Sequence, residues 1–379
     1  MRLILYLLFI LTPMQIMAKS TLATTDIVDE QHLLKLLDEY IDRRELYTEQ
    51  KEEKIKQLKI KLRIAHNNDK RLSILDAIYR EYYTYNYDSA MVYVNRGLSL
   101  ALSDNNTYYV TLNRINRAAV LSTAGFYSQA ETLLNEIGEK NVPQQLKQYY
   151  YYTTTWLYNY WESFCDKSEF KNYYRQKKLQ FLRLTVNTTH SNYVGLYAYL
   201  SGELAYLENP LGKDVLRHYT IAINNSPVNS RVHASAAYCI ARYNRELGNM
   251  QLYEKYIVEA AISDIVCPLK ENLALQELST YLYKKNSKYA NYAARYIYIS
   301  MEDAQFYNNR LRMLEISNIL PIIANANQEA LAHKERIVRG VLAVVSFLSL
   351  VLFAMAIFGY KQNKWLARSR REVKSQNLK

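Results

Sequence analysis

The densest group of side chains suited to ligand binding is an aromatic patch in the run QYYYYTTTWLYNYW, residues 148–161. Aromatic rings on the concave face of a helical repeat protein can hold peptides or sugars by stacking. Most of the patch is expected to pack between helices, because so many rings cannot share one exposed face. The candidate groove residues taken from it are Tyr151, Tyr152, Trp156, Tyr160 and Trp161.

Motifs that indicate catalysis are missing from the sequence. The six histidines are scattered, and there is no HExxH, no glycine-rich phosphate loop and no nucleophile elbow. Aspartate and glutamate are dispersed, so no carboxylate pair stands out as a general acid and base. The sequence predicts no catalytic residue, no cofactor and no metal site, and hence a protein that is not an enzyme. A metal pair formed by His218 and His233 on neighbouring helices is a weaker alternative.

Cysteine usage gives no redox or zinc signature. The three cysteines, Cys165, Cys239 and Cys267, are far apart, and no CxxC spacing occurs. Each is expected to be a small buried side chain. A disulfide between Cys239 and Cys267 stays open as an alternative in an oxidising compartment.

A repeated pattern of glycine, large and small residues indicates the elements that must position the aromatic patch. It occurs in the segments GFYSQAETLL and GNMQLYEKYIVEA, which place Gly125, Tyr127 and Ala130, and later Gly248 and Tyr253, in tetratricopeptide (TPR) order. The glycine ends the first helix of a hairpin in a left-handed conformation, and the small residue lets the two helices approach closely.

The repeats recur about every forty residues, near positions 90, 130, 215, 253 and 293. A gap of two periods places a degenerate unit near residue 172, in EFKNYYRQKKLQF. Low Gly and Pro contents argue against a turn-rich β architecture. We therefore predict an all-α fold, a TPR-like α-solenoid of helical hairpins over residues 69–320. Unrelated amphipathic helices that coincide in spacing are the alternative.

Two helices are predicted before the repeats, in residues 27–66. Apolar residues recur there at helical spacing, first from Leu33 to Ile41 and then from Tyr47 to Leu62. The charged run KEEKIKQLKIKLR is interpreted as a solvated helix face, with a partner-binding amphipathic helix as the alternative. Residues 1–18 have the short basic start and apolar stretch of a secretory signal peptide, and an uncleaved anchor is the alternative.

The segment from Val341 to Tyr360 is predicted to be a single transmembrane helix. Its twenty residues contain no charge and no proline, and at about 1.5 Å per residue they span roughly 30 Å, the thickness of a bilayer core. A buried core helix is the weaker alternative, because it would tolerate a polar face. Residues 321–340 are predicted to form a helical stalk before the span, with Pro321 starting or kinking it.

The charge distribution predicts the orientation of this span. The chain has a formal net charge of +12, and about half of that excess lies in the basic tail, residues 361–379, with seven basic residues and one acidic. Positive charge beside a span marks its cytoplasmic side, so the location argues against a nucleic-acid partner. We predict a single-pass inner-membrane protein with a periplasmic N-terminal domain and a cytoplasmic tail.

The assembled order resembles a family of uncharacterised, membrane-anchored TPR-like regulators of Gram-negative bacteria, known as a domain of unknown function. The resemblance runs from about residue 33 to the end of the chain. It is carried by LLDEYIDRRELYTEQKEEKIKQLK, LSTAGFYSQAETLL, KENLALQELSTYLY and RLRMLEISNILPII, with the most specific positions at Asp38, Arg44, Tyr47, Lys51, Glu52, Glu315, Ile316, Leu320 and Pro321.

The resemblance implies transmembrane signalling to transcription. In that family the span is followed by a cytoplasmic coiled coil and a helix-turn-helix-like region that binds DNA. Here WLARSRREVKSQNLK resembles the opening of the coiled coil and no recognition helix follows, so DNA binding is not carried over. The expectation is a shortened member of the family.

The expected function is that of a membrane-anchored periplasmic sensor or scaffold that binds a peptide, a protein or a glycan. The stalk and span also allow a homodimer. Two alternatives stay open: an envelope assembly or tethering scaffold with no signalling role, and a truncated sensor kinase.

Overall fold

A computed structural model describes residues 29–165, 168–271 and 273–376 of the chain. The predicted signal peptide lies outside the described residues, as do the last three residues of the basic tail.

The described residues form fifteen α-helices and no β-strand, which confirms the all-α, TPR-like fold class. Two helices come first, α1 (Glu30–Asp42) and α2 (Arg44–Ile64). Six consecutive hairpins follow: α3 (Asn68–Tyr82) with α4 (Tyr87–Ser103), α5 (Thr107–Ala124) with α6 (Tyr127–Ile137), α7 (Lys147–Phe164) with α8 (Lys171–Thr188), α9 (Val194–Glu208) with α10 (Lys213–Asn224), α11 (Arg231–Glu246) with α12 (Met250–Val266), and α13 (Ala274–Lys285) with α14 (Ala290–Tyr307). Helix α15 (Arg310–Gln376) ends the described chain.

The second helix of each hairpin lies where the repeat pattern predicts it. Helix α8 covers most of the degenerate unit near residue 172. The small residues of the pattern, among them Ala90, Ala130 and Ala293, are fully buried because the two helices of a hairpin approach there. The first helices α5 and α11 end near Gly125 and Gly248, which have φ of 92° and 77°, the left-handed region that glycine enters without a Cβ clash.

Some hairpin interfaces are packed so closely that only glycine fits. A Cβ at Gly202 of α9 would lie 2.6 Å from two ring carbons of Tyr219 of α10, which is fully buried. The large residue of one helix therefore fills the space that the other helix leaves open. Such contacts fix the angle at which each hairpin presents its first helix.

The N-terminal helix α1 packs against the late hairpins, on α12 and α14. Its Asp38 carboxylate accepts a hydrogen bond from the Tyr296 hydroxyl at 3.2 Å and pairs with Arg295 at 3.0 Å. The loop after α3 meets the same hairpins, where the Tyr307 hydroxyl donates to the Tyr83 carbonyl at 2.8 Å. The start of the chain is thus tied to the end of the repeat array.

Helix α15 is a single helix of 67 residues, about 100 Å long at the usual rise. It continues through Pro321, so the stalk predicted over residues 321–340 is part of one helix that begins before the proline. Proline removes one backbone hydrogen bond, yet the buried side chains of Ile316 and Ile323 anchor the helix on both sides of it.

The solvent exposure of the same helix changes along its length. From Leu331 to Phe358 every residue is exposed, although the stretch includes the apolar segment found in the sequence. The helix is long and apolar enough to cross a membrane, and its most apolar window is not buried at all against the rest of the chain. Exposed apolar surface of this length is typical of lipid contact.

Candidate functional site

A cavity of about 240 Å³ lies where the first helices of several hairpins converge. Helices α7, α9 and α11 supply most of its wall, the segment that joins α12 to α13 supplies another part, and Arg312 at the start of α15 completes it. We call this space the inner cavity. Four hairpins contribute to this cavity, because each of them turns its first helix toward the same side.

One face of α7 forms an aromatic wall of the inner cavity. Tyr152, Trp156 and Tyr160 follow at intervals of four residues, which places them above one another on the helix. The Trp156 ring stacks on Tyr199 of α9, with ring centroids 6.2 Å apart and planes inclined by 10°. Three of the five candidate groove residues are therefore brought together in the cavity wall.

The other two candidates, Tyr151 and Trp161, do not line the inner cavity. The Tyr151 hydroxyl donates to Glu139 at 2.6 Å, and its ring is buried. Trp161 stacks on Tyr174 of α8, with ring centroids 4.3 Å apart. Each residue advances a helix by about 100°, so residues next to a lining position point into the hairpin instead.

A buried network around Glu203 of α9 forms one side of the cavity. Its carboxylate accepts hydrogen bonds from Tyr219 at 2.6 Å and from Arg242 at 3.1 Å. Burial raises the pKa of Glu203, but Arg242 and the Tyr219 hydrogen bond outweigh it and bring this pKa below its usual range. Arg242 also stacks over the Tyr206 ring at 3.8 Å. Glu203 is thus a carboxylate already paired with a cation.

A second pair, Arg231 with Glu271, closes the opposite side. The Tyr160 hydroxyl donates to Glu271 at 3.0 Å and accepts from Arg231 at 3.1 Å. Arg231 also covers the Tyr83 ring at 5.4 Å. Ion pairs surrounded by rings are held in one arrangement, since each ring limits the rotamers of its neighbour.

Arg312 brings helix α15 into the cavity wall. The side chain is 8 % exposed, and its Nη1 donates to Glu315 Oε2 at 2.6 Å. Glu315 in turn accepts from Gln276 of α13 at 3.2 Å. A residue of the helix that continues into the apolar segment therefore contacts the inner cavity.

The Asp264 carboxyl of α12 also lines the cavity and is buried. Burial raises the pKa of Asp264 well above its usual range, and the nearby carboxylates of Glu271 and Asp303 raise it further. No hydrogen bond to this carboxyl is made within the described part of the chain. The cavity therefore contains one carboxyl that favours its neutral form.

Several nitrogen donors of the cavity residues lack partners. Trp156 Nε1, Arg242 Nε and Arg312 Nε are buried, and none makes a hydrogen bond of normal geometry within residues 29–165, 168–271 and 273–376. An unpartnered buried donor costs about 1–3 kcal/mol. Three such donors lie around one cavity and make it the candidate binding site, because a bound ligand or ordered water completes hydrogen bonds of this kind.

Two weaker alternatives from the sequence are a metal pair that includes His233 and a disulfide between Cys239 and Cys267. His233 is 3 % exposed and contacts the Ser226 carbonyl at 3.1 Å and Glu259 at 3.2 Å, so it holds the α10–α11 connection against α12. Cys239 and Cys267 are free thiols, so the alternative of a disulfide between them is wrong.

Sequence reasoning missed the charged residues of the cavity. On α11 the lining residues follow at intervals of four, three and four, which is one helix face: Arg231, Ser235, Tyr238 and Arg242. This stripe was visible in the sequence as polar and aromatic residues on the first helix of a hairpin, where the opposite face is alanine-rich. Its partners on α9 and α15 are far away in sequence and carry no such signal.

The fold and the cavity define an α-helical repeat protein with a half-open polar and aromatic cavity. The chain belongs to the SusR N-terminal TPR domain family, whose model matches residues 41–318, about three quarters of the chain. No curated protein matches it.

Proposed function

We propose that the protein is a membrane-anchored sensor whose repeat domain binds a ligand in the inner cavity and passes the signal along α15. The observation that carries this proposal is the position of Arg312. It lies in the cavity wall and on the same unbroken helix as the apolar segment. A ligand that contacts Arg312 acts directly on the helix that enters the membrane, without an intervening linker.

The ligand class proposed for the site is a short peptide, an exposed chain end of a protein, or a glycan. Stacked rings such as Trp156 and Tyr199 offer flat apolar surface, and the polar groups between them select for hydrogen-bonding groups. The carboxylates Glu203 and Glu271 are each engaged by an arginine. This supports binding rather than chemical conversion of the ligand.

We place the repeat domain in the periplasm and the basic tail in the cytoplasm, with the apolar part of α15 in the inner membrane. Support comes from the basic residues that follow Tyr360, since positive charge marks the cytoplasmic end of a span. The family membership supports a sensor or scaffold role of the TPR domain.

The topology is tested with alkaline phosphatase fusions, because this enzyme is active only outside the cytoplasm. A fusion after Arg339 should be active and a fusion after Lys379 inactive. The reverse pattern would refute the orientation. Retention of the protein in the pellet after carbonate extraction checks that it is integral to the membrane.

Sensing is tested through the exposed part of α15. Leu331→Cys, at a half-exposed position of that helix, reports on helix pairing through oxidative cross-linking in membranes. Trp156→Ala in the cavity should change the cross-linking rate if the cavity acts on α15, whereas Tyr173→Ala on the exposed face of α8 should not. The cross-linking rate is compared in Leu331→Cys alone, with Trp156→Ala and with Tyr173→Ala. Equal rates in all three, together with stable stoichiometric partners in pull-downs, would favour a passive tether.

A further inference from the structure

The hydrogen-bonding groups of the inner cavity are unbalanced in a way that restricts its ligand. The carboxylates of Glu203, Glu271 and Glu315 each accept from an arginine. On the donor side, Trp156 Nε1, Arg242 Nε and Arg312 Nε remain without partners in the described residues. The described residues supply no acceptor to these three nitrogen donors, so a ligand would bind by supplying one.

Arg312 shows most clearly what kind of acceptor fits. Its guanidinium uses Nη1 for Glu315, and its Nε is buried without a hydrogen-bond partner within the described ranges. The Nε–Nη2 edge of an arginine presents two parallel N–H groups, a geometry that matches the two oxygens of a carboxylate. The residue is more than nine-tenths buried, and its Nε in particular is closed off from bulk water.

The charges around the cavity also permit an anion. Arg231, Arg242 and Arg312 balance the three paired carboxylates, and burial raises the pKa of the fourth carboxyl, Asp264, toward its neutral form. The indole N–H of Trp156 adds a neutral donor on the opposite wall. An incoming negative charge therefore meets free donors rather than free carboxylates.

We propose that the inner cavity recognises a carboxylate group of its ligand, held by the Nε edges of Arg312 and Arg242 and by the Trp156 indole. This inference rests on the proposed function, because it names the chemistry of the ligand at that same site. Two sources carry the required group, the C-terminus of a short peptide and an acidic sugar. Since Arg312 belongs to α15, the carboxylate would contact the membrane-entering helix itself.

The test compares carboxylate probes with their uncharged twins on the full chain in nonionic detergent micelles. The first pair is N-acetyl-trialanine and its C-terminal amide, and the second is digalacturonate and its methyl ester. Binding is measured by titration calorimetry, and by the fluorescence of Trp156 against the Trp156→Phe variant. We expect one carboxylate probe to bind at least about tenfold more tightly than its twin, and the pair that responds identifies the source.

Variants assign the preference to Arg312. Arg312→Gln should abolish the difference between a carboxylate and its twin, and Arg312→Lys should reduce it, because the charge remains and the two-point geometry is lost. Arg217→Gln, at an exposed ion pair of α10, is the matched control and should leave the difference intact. Unfolding curves show whether each variant is folded, and Arg312→Lys keeps the test valid should Arg312→Gln not fold.

The outcomes separate this inference from the proposed function. Uncharged twins that bind as tightly as the carboxylates, with binding still weakened by Trp156→Ala, would overturn the carboxylate inference and leave the cavity as the binding site. Failure of both carboxylate probes to bind below about 10 mM would also overturn it. Binding that no cavity substitution changes would refute the proposed function as well.

Discussion

The interiors of the helical hairpins and the inner cavity use the same residue types to opposite effect. Between α9 and α10, Tyr219 fills the space above Gly202, and its hydroxyl is satisfied by Glu203. Beside the cavity, the Nε atom of Arg312 is buried as well, but it has no partner in the described chain. Inside this hairpin the packing and the hydrogen bond are complete, whereas the donor beside the cavity is left for a ligand or water to complete.

The largest loss of stability is expected when a buried side chain inside a hairpin is shortened. Leu200 of α9 is fully buried, so Leu200→Ala should lower the free energy of unfolding by about 2–5 kcal/mol through lost contacts and an unfilled cavity. Chemical unfolding followed by circular dichroism measures it. Leu252→Ala, at a 44 % exposed position of α12, is the control and should change stability by about 0.5 kcal/mol or less. Similar losses in both variants would contradict the packing described here.

The close approach at Gly202 is tested by adding one methyl group. Gly202→Ala places a Cβ 2.6 Å from the Tyr219 ring, and we expect a loss of about 1–3 kcal/mol from overpacking. Gly340→Ala is the control, because a Cβ there meets nothing within 4 Å and alanine favours the helix. A neutral or stabilising Gly202→Ala would show that the hairpin is looser than the structure indicates.

Replacing the buried Asp264 carboxyl of the inner cavity should raise the stability of the fold, whereas the two hairpin substitutions lower it. Since burial raises the pKa of Asp264, the folded state keeps a proton that the unfolded chain releases, and stability falls as the pH rises from the ordinary Asp range toward the raised pKa. Asp264→Asn should remove that dependence and stabilise the protein by about 1 kcal/mol at neutral pH.

Thermal unfolding between pH 4 and pH 8 measures this effect, with Asp214→Asn at an exposed site of α10 as the control. A stability loss in Asp264→Asn that is constant with pH would show that Asp264 is an ionised structural partner. In that case the cavity would be closer to the completed hairpin interiors than we conclude.

The smallest effect is expected where α1 meets α14 at the surface. Arg295 pairs with Asp38 at 3.0 Å, and its side chain is 37 % exposed. Arg295→Gln should lower stability by about 1 kcal/mol or less, because water and salt screen such pairs. Unfolding at low and high salt checks this, since high salt should bring the variant and the parent protein together. A large loss at both salt concentrations would mean that the Arg295–Asp38 pair behaves as a buried ion pair shielded from solvent.

The amino-acid sequence by itself determined the repeat class and the apolar segment. Residue spacing places Ala130 and Tyr253 on hairpin-facing helix sides, and Gly125 and Gly248 where a left-handed ending is needed, since these signals are local in the chain. Likewise, the length and apolarity of residues 341–360 can be read without any tertiary contact. The sequence predicts that Pro321 starts or kinks a helix, whereas the helix begins earlier and continues through it, with Ile316 and Ile323 buried on either side.

Only the tertiary structure decided which residues form the inner cavity. The aromatic patch of α7 had the right composition, but its division between Trp156 in the cavity and Trp161 in a hairpin depends on which neighbours cover each helix face. The cavity also joins Glu203, Arg242 and Arg312, which are far apart in the chain. Their proximity follows from the stacking of successive hairpins, a sum of packing angles that no local pattern encodes.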